Sequence, residues 1–404
     1  MVGSNSYAGA VTLTSASSIR STSGALLLTG GVTGGGFALT TAGDVTFQLS
    51  GGATMTNVAS LELAGGSLKM ANTSASNNTD RVSNSTAVNV VNSGAISFTH
   101  DSAAGTNYSE TLGVLTLSGG HTEIATSEAA TGQTSTLTFA NLVRSGSATV
   151  NFADFNLGDS TRNRIVFNAI QGNSSFTGLI GGWATIGGAF AEYADIGGGN
   201  FSVRALSTAV STGESTWLDY TVNAAPIVGT DINLDNNPTS SAYRKLNTLA
   251  LGGSTILDVT GSGANSLAVK TGIVSADADH IISVPFLKIG DGTVATTLPV
   301  TVNSGTLTIS AVISNNALND TNFAGTLQKS GNGKLRLTNI NSYTGGTLLS
   351  GGSLLVGNDF ALGSGKLTMA GGVLASDGAG TRTLLNAVDL TALAPLVKRA
   401  TRGT

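Results

Sequence analysis

The chain has 404 residues, of which 40% are hydrophobic and 10% are charged, and it contains 55 glycines. It is long enough to bury a sizeable core. Its net charge of −4 argues against a nucleic-acid partner, which would need a concentrated basic face, and the lack of cysteine excludes disulfides and thiolate metal sites. No apolar run of about 18 residues occurs, so no membrane span is predicted.

The N-terminal part of the chain predicts short strands with one polar face. Residues Val45 to Ser50 alternate between apolar and polar side chains, and Leu61-Glu62-Leu63 and Leu115-Thr116-Leu117 do the same. Gly-Gly pairs follow several apolar runs, among them Gly30-Gly31 and Gly51-Gly52. The spacing of these two pairs is the first sign of a repeat.

The middle of the chain, residues 153–243, departs from this pattern. It contains both tryptophans, Trp183 and Trp217, and the phrase IGGWATIGGAFAEYADIGG. We expect a bulged coil or a side loop packed on the rest of the fold. A ligand platform is the alternative hypothesis for this region.

The C-terminal part repeats two markers with one shared period. Tyr343-Thr344-Gly345 repeats Phe323-Ala324-Gly325, and Gly371-Gly372 repeats Gly351-Gly352, so both markers return after about 20 residues. A disordered tract would lack the recurring inward-facing Leu, Val and Ile residues, and an antiparallel sandwich does not predict that similar sequence returns at this period. Stacked coils of a β-solenoid do predict it. We therefore expect an all-β, elongated solenoid with Gly351 and Gly352 at a corner between two sheets.

One segment resembles a known family. GNGKLRLTNINSYTGGTLLSGGSLLVG, Gly331 to Gly357, is similar to the autotransporter-associated β-strand repeat, also called the passenger-associated transport repeat. The N-terminal Asn5-Ser6-Tyr7 parallels Asn341-Ser342-Tyr343 as a partial second copy. The matching positions are Gly331, Gly333, Leu335, Leu337, Asn339, Tyr343, Gly345, Gly346, Thr347, Gly352, Leu354 and Val356.

This resemblance implies a right-handed parallel β-helix in a large extracellular protein of Gram-negative or related bacteria, with a role in passenger folding and translocation. We expect residues 1–390 to form a single solenoid, irregular or bulged at about 153–243, and residues 391–404 to form a C-terminal tail left by processing or cloning. The family's export signal and membrane anchor are not evident in the sequence, which predicts a piece of a longer protein.

The residues that carry chemistry are sparse. Asn78-Thr79-Asp80 matches one short galacturonase signature without its partner motifs, and Asp277-Ala278-Asp279-His280 is interpreted as a solvated loop. Asp231 to Asn237 spaces oxygen ligands like the start of a calcium loop, but Asn236 occupies the position that requires glycine. We predict no catalytic, cofactor-binding or metal-binding residue, no cofactor and no enzymatic activity.

The function predicted from the sequence is a secreted or cell-surface structural segment: a stalk, a surface-layer component or a fibre component of an autotransporter-like protein. Self-association end to end or side to side is a further hypothesis, because the ends of a solenoid expose unpaired strand edges. The alternative is an adhesin that binds a surface glycan or a host protein through residues 153–243.

Overall fold

The structure, a computed structural model, describes residues 5–22, 24–127, 130–153, 156–207, 223, 232–233, 243–252, 257–261, 266–276, 278–318, 321–378 and 380–391. These residues form β-strands, turns and irregular connections, and none of them is helical. Within these ranges there is accordingly no helix with the length and apolar character needed to cross a membrane.

The strands of the first half are β1 (Asn5–Tyr7), β2 (Val11–Thr12), β3 (Ser17–Arg20), β4 (Leu26–Leu28), β5 (Val32–Ala42), β6 (Val45–Leu49), β7 (Met55–Ala64), β8 (Ser67–Asn72), β9 (Ala87–Val90), β10 (Gly94–His100), β11 (Asn107–Leu117), β12 (His121–Thr126), β13 (Thr134–Arg144), β14 (Thr149–Ala153), β15 (Asn163–Phe167), β16 (Gly178–Leu179), β17 (Ala184–Ile186), β18 (Ala189–Asp195) and β19 (Phe201–Ala205).

The strands of the second half are β20 (Ile232–Asn233), β21 (Tyr243–Leu251), β22 (Leu257–Thr260), β23 (Ser266–Ser275), β24 (His280–Ser283), β25 (Phe286–Ile289), β26 (Thr296–Val302), β27 (Thr306–Ile309), β28 (Val312–Leu318), β29 (Thr321–Phe323), β30 (Gly325–Ser330), β31 (Lys334–Leu337), β32 (Thr347–Leu349), β33 (Ser353–Val356), β34 (Leu367–Met369), β35 (Val373–Ser376) and β36 (Val388–Leu390).

The strands pair in two stacks, each built from two largely parallel sheets. In the first stack the chain alternates between a sheet ordered β1-β4-β6-β8-β10-β12-β14-β17 and a sheet ordered β2-β5-β7-β9-β11-β13-β15. In the second stack one sheet runs β20-β22-β24-β27-β31-β33-β35 and the other contains β21, β23, β25, β26, β28, β30, β32, β34 and β36. Each strand therefore pairs with its counterpart in the next coil, as the solenoid prediction requires.

The alternation seen in the sequence places one set of side chains in the core. Val45, Phe47 and Leu49 of β6 are fully buried, whereas Thr46 and Gln48 between them are partly exposed. Leu335 and Leu337 of β31 are likewise buried on either side of the partly exposed Arg336. Period-two alternation thus fills a dry interior and leaves a polar outer face.

Coil length is not constant, in contrast to the fixed period predicted from the glycine and aromatic markers. The predicted length holds in the repeat segment, where Ser353 pairs with Lys334 of the preceding coil and with Val373 of the following one. In the middle of the first stack, however, Ala95 pairs with Ser67 and with Glu123, so the coils there are longer. The added residues lie in connections such as the one between β8 and β9. Such connections can lengthen without disturbing the ladder because they lie between the paired strands.

Glycine corners allow the coils to stack closely. Gly351 and Gly352 separate β32 and β33, which belong to different sheets, so the predicted corner is confirmed. Gly352 has a φ of +65°, and a Cβ built on it would lie 2.3 Å from the carbonyl oxygen of Gly331 in the preceding coil. Any other residue would combine backbone strain with a collision between coils.

The two stacks differ from the single continuous solenoid expected over residues 1–390. Buried hydrophobic residues form one cluster between Leu13 and Val203 and another between Leu246 and Leu367. The stacks lie side by side and run in opposite directions, because positions further along the second stack meet positions earlier in the first. The matching positions are Gln328 with Ser147, Gly351 with His121, and Gly371 with Ser93. We call this contact the seam.

Candidate functional site

The repeat segment contains polar side chains that connect successive coils. The Asn341 side chain accepts a hydrogen bond from the Ile313 N–H at 2.8 Å and donates one to the Ala361 carbonyl at 2.7 Å. Asn341 is only 6% exposed, and its two partners belong to the coils on either side of its own. The Asn339 side chain donates to the Ser310 carbonyl at 2.9 Å in the same way. These residues of the motif hold the coils in register.

Tyr343 of the same motif lies in the core. Its hydroxyl shares a 2.6 Å hydrogen bond with the Thr347 hydroxyl, which in turn donates to the Leu362 carbonyl of the next coil. Complete burial raises the pKa of Tyr343 well above its ordinary value. Tyr7, its counterpart in the partial N-terminal copy, is 52% exposed in the first coil. The two copies are therefore similar in sequence but not in environment.

The seam contains a buried lysine. Lys329 is fully buried, and its ammonium donates hydrogen bonds to the carbonyls of Gly331 at 2.8 Å and Gly351 at 3.2 Å. Burial lowers the pKa of Lys329 to about 7. Across the seam, burial and then the Lys329 charge lower the pKa of His121 to about 4. The neighbouring Gln328 side chain donates to the Ser147 carbonyl of the first stack.

A second buried polar cluster lies in a long connection of the first stack. The fully buried Arg81 donates to the carbonyls of Gly51 and Ala53 at 3.0 and 3.1 Å. The carboxylate of Glu110 accepts a hydrogen bond from the backbone N–H of Arg81 at 2.9 Å. Burial raises the pKa of Glu110 to about 7, although this hydrogen bond acts to lower it. These groups fix the wide coils around residues 72–110, and both side chains are buried.

The irregular region forms a cap on the first stack. Gly187 and Gly188, with φ of 52° and 84°, make a tight hairpin turn between β17 and β18, and β19 pairs antiparallel to β18. The Tyr193 hydroxyl donates to the Phe167 carbonyl at 2.7 Å and accepts the Phe167 N–H at 3.2 Å. The Ser202 hydroxyl accepts the Ile165 N–H at 3.3 Å. These side chains form hydrogen bonds with backbone groups on the outer edge of β15, the last strand of its sheet.

The cap also carries a partly buried ion pair. The Arg204 guanidinium lies 2.8 Å from the Glu192 carboxylate, which also accepts a 2.7 Å hydrogen bond from the Ser207 hydroxyl. Phe190 and Leu206 pack with Ala250 and Val274 of the second stack. The described part of 153–243 thus contains antiparallel strand pairs, whereas the strands from β1 to β15 pair in parallel. Its role as a cap was not recognised in the sequence, although IGG between apolar runs is a hairpin signal.

The residues considered for chemistry do not come together. His100 ends β10 and His121 begins the neighbouring β12, so they lie at opposite ends of the paired strands. His280 is buried in β24, while the adjacent Asp279 is exposed and accepts the Thr306 N–H at 2.7 Å. Asp80 is exposed, and its N–H donates to the Asn78 side chain in a local turn.

Metal ligands do not cluster in the part of the chain that the structure describes, where no group of three His, Asp or Glu side chains is close enough to hold an ion. The calcium-like turn from Asp231 to Asn237 lies outside the described residues except for the backbone of Ile232 and Asn233. Asp277, Trp217 and the tail beyond residue 391 also lie outside them.

These observations define an all-β protein of stacked parallel coils, the architecture expected of a β-solenoid. The family model described as Passenger-associated-transport-repeat matches residues 324–356, so the resemblance inferred for Gly331 to Gly357 is confirmed and the chain carries this autotransporter passenger repeat. The chain matches no curated protein and no solved structure.

Proposed function

We propose that the chain is an extracellular structural segment of a bacterial autotransporter-like protein, acting as a stalk, a surface-layer component or a fibre component. The observation that carries this proposal is the use of the repeat residues: Asn339, Asn341 and Tyr343 bind neighbouring coils and the interior. In this proposal each stack is a right-handed β-solenoid. In this proposal the chain has no enzymatic role, and the described polar residues of the repeat serve to hold the coils together.

The location can be tested on cells that produce the protein. Antibodies against the chain should label intact cells or detect it in the medium, and protease added to intact cells should remove the cell-bound signal. Labelling that requires cell lysis would contradict an extracellular location. A cytoplasmic marker protein, probed in parallel, controls for leakage.

Self-association is the finer part of the structural proposal. At one end of the second stack no described strand follows β35 and β36, and Val373, Val388 and Leu390 there are each 58% exposed. Exposed apolar side chains on an open strand edge favour end-to-end association. Analytical ultracentrifugation over a range of concentrations should show growing assemblies. A monomer whose sedimentation is independent of concentration would remove this part of the proposal.

Adhesion is the second candidate function. The sequence favours residues 153–243 for this role, although Glu192, Arg204 and Tyr193 of the cap use their polar groups internally. Trp183 is the specific observation in its favour, because it lines an open groove at the seam together with residues of both stacks. In this candidate, a surface glycan or a host protein would be recognised at the groove.

A further inference from the structure

A groove of about 660 Å³ lies where the cap meets the second stack. Arg144 and Ser147 line it from the first stack, Trp183 from the cap, and Lys270, Thr271 and Thr297 from the second stack. Its wall is closely packed, because a Cβ built on Gly182 would lie 1.7 Å from the Thr271 carbonyl oxygen. The groove is therefore shaped by both stacks and has little freedom to collapse.

Arg144 is held in position at this groove. Its Nε donates to the Ala148 carbonyl at 2.7 Å, and its guanidinium carbon lies 5.2 Å from the centre of the Trp183 ring. Burial lowers its pKa, and among the described residues no carboxylate lies within ion-pair distance of it. The two terminal nitrogens thus form a preorganised fork with no carboxylate partner among the described residues. Such a fork matches the two oxygens of a carboxylate or sulfate.

Lys270 adds a second positive charge to the groove. Its side chain is 42% exposed, and its ammonium lies 3.0 Å from the Asp291 carboxylate. The other Asp291 oxygen accepts hydrogen bonds from the N–H and hydroxyl of Thr293, at 3.0 and 2.6 Å. With Arg144, Lys270 and Asp291 counted together, the groove keeps a net charge of about +1 in a chain that is negative as a whole.

We propose that this groove binds an acidic polysaccharide, with a carboxylate or sulfate of one sugar unit on Arg144. The hydroxyls of Ser147 and Thr297 and the indole of Trp183 suit the hydroxyl groups and apolar faces of a sugar ring. The proposal rests on the adhesion candidate and gives it a ligand class, and its failure would leave the structural function intact.

The test measures the affinity of the full chain for polygalacturonate, chondroitin sulfate, neutral dextran and polyglutamate by isothermal titration calorimetry. We expect binding of at least one acidic polysaccharide, weakened by added salt, and none of dextran. Binding of polygalacturonate assigns the carboxylate, and binding of chondroitin sulfate but not of its desulfated form, chondroitin, assigns the sulfate. Equal or tighter binding of polyglutamate, or no binding of either polysaccharide, would overturn the proposal.

Variants locate the binding on the molecule. Arg144→Met should weaken binding about tenfold or more because it removes the fork, and Arg144→Lys should retain part of the affinity. Lys334→Met, at an exposed position of β31 outside the groove, is the matched control and should bind like wild type. Unchanged affinity in Arg144→Met would overturn the proposal.

A second readout does not depend on the Arg144 variants. In Trp217→Phe, Trp183 is the remaining tryptophan, so its fluorescence reports on the groove. Saturation with the acidic polysaccharide should shift this emission, and dextran should not. Binding that leaves the emission of Trp183 unchanged would place the ligand elsewhere and overturn the assignment.

Discussion

Asn341 shows how a single buried amide can hold three coils together. Its side-chain oxygen accepts a hydrogen bond from the Ile313 N–H on one side, and its side-chain nitrogen donates one to the Ala361 carbonyl on the other. These bonds stand in for the backbone–backbone hydrogen bonds that a narrow corner cannot supply. A buried backbone group that loses its partner costs about 1–3 kcal/mol. The asparagine of the repeat is therefore a structural residue whose loss should be felt in both neighbouring coils.

Asn341→Ala should lower the free energy of unfolding by about 2–4 kcal/mol, because it leaves one N–H and one carbonyl buried without partners. Urea denaturation followed by circular dichroism measures this change. Asn332→Ala, at an exposed position of the same segment, is the control and should stay within about 0.5 kcal/mol of wild type. Equal stability of the two variants would contradict this role of Asn341.

Lys329 makes the stability of the seam depend on pH. Its pKa in the folded protein is about 7, below the ordinary lysine value that applies to the unfolded chain. Between these values the unfolded state binds more protons than the folded state, so stability rises with pH. Below about pH 7 both states are protonated, and the buried charge keeps its full destabilising effect.

Wild type should therefore gain stability relative to Lys329→Met as the pH rises from 7 to 10, with a slope of up to about 1.4 kcal/mol per pH unit. Chemical denaturation of both proteins at matched pH values gives the difference, in which the titration of other groups cancels. A difference that stays constant over this range would show that Lys329 is charged in the folded state.

At the scale of elements, the cap ends the first stack with side chains in place of a further coil. Tyr193 and Ser202 supply the hydrogen bonds that another strand would give to β15. An exposed strand edge invites pairing with other chains, so covering it protects the far end of this stack. The antiparallel direction of β18 and β19 fits this role because it prevents the parallel ladder from continuing.

Tyr193→Phe tests the cap, because it removes only the hydroxyl that binds both polar groups of Phe167. We expect a loss of about 1–3 kcal/mol in unfolding free energy and faster amide exchange at Phe167. Tyr7→Phe alters an exposed tyrosine of the first coil and should change neither quantity. Unchanged exchange at Phe167 in Tyr193→Phe would mean that the cap does not protect this edge.

Strands and corners were predictable from the sequence because their signals are local. Alternation in Val45 to Leu49 identified a strand, and the Gly351-Gly352 pair identified a corner. Coil length was predicted only where glycine markers repeat closely, since the wide coils carry long connections without a fixed period. The partners of Tyr193 and Asn341 could not be predicted, because each hydrogen bond joins residues that are far apart in the chain.

At the scale of the whole molecule, the reversal of the chain between the two stacks is the feature that the sequence did not reveal. Both stacks have the same alternation and the same glycine corners, so local patterns are equally compatible with one long stack. The seam is instead formed by small corner residues and a few polar contacts, such as Gln328 with Ser147. These residues carry no periodic signal that separates a seam from a solvated corner.

A disulfide across the seam provides the sharpest test of this arrangement. A Cβ built on Gly351 would lie 3.4 Å from the Cβ of His121, close to the separation of about 3.5–4.5 Å found in disulfides. The chain has no other cysteine, so His121→Cys combined with Gly351→Cys should form a single internal bond on mild oxidation. The bond would close a loop of more than half the chain, which should speed migration in a non-reducing denaturing gel.

The control pairs His121→Cys with Gly52→Cys, an exposed position with no neighbouring atom within 4 Å of its added Cβ. This control should remain reduced under the same conditions, with two free thiols by mass spectrometry. If the stacks run side by side in opposite directions, only the seam pair cross-links, because a single extended stack would hold positions 121 and 351 many coils apart. Failure of the seam pair to oxidise faster than the control would reject the side-by-side arrangement.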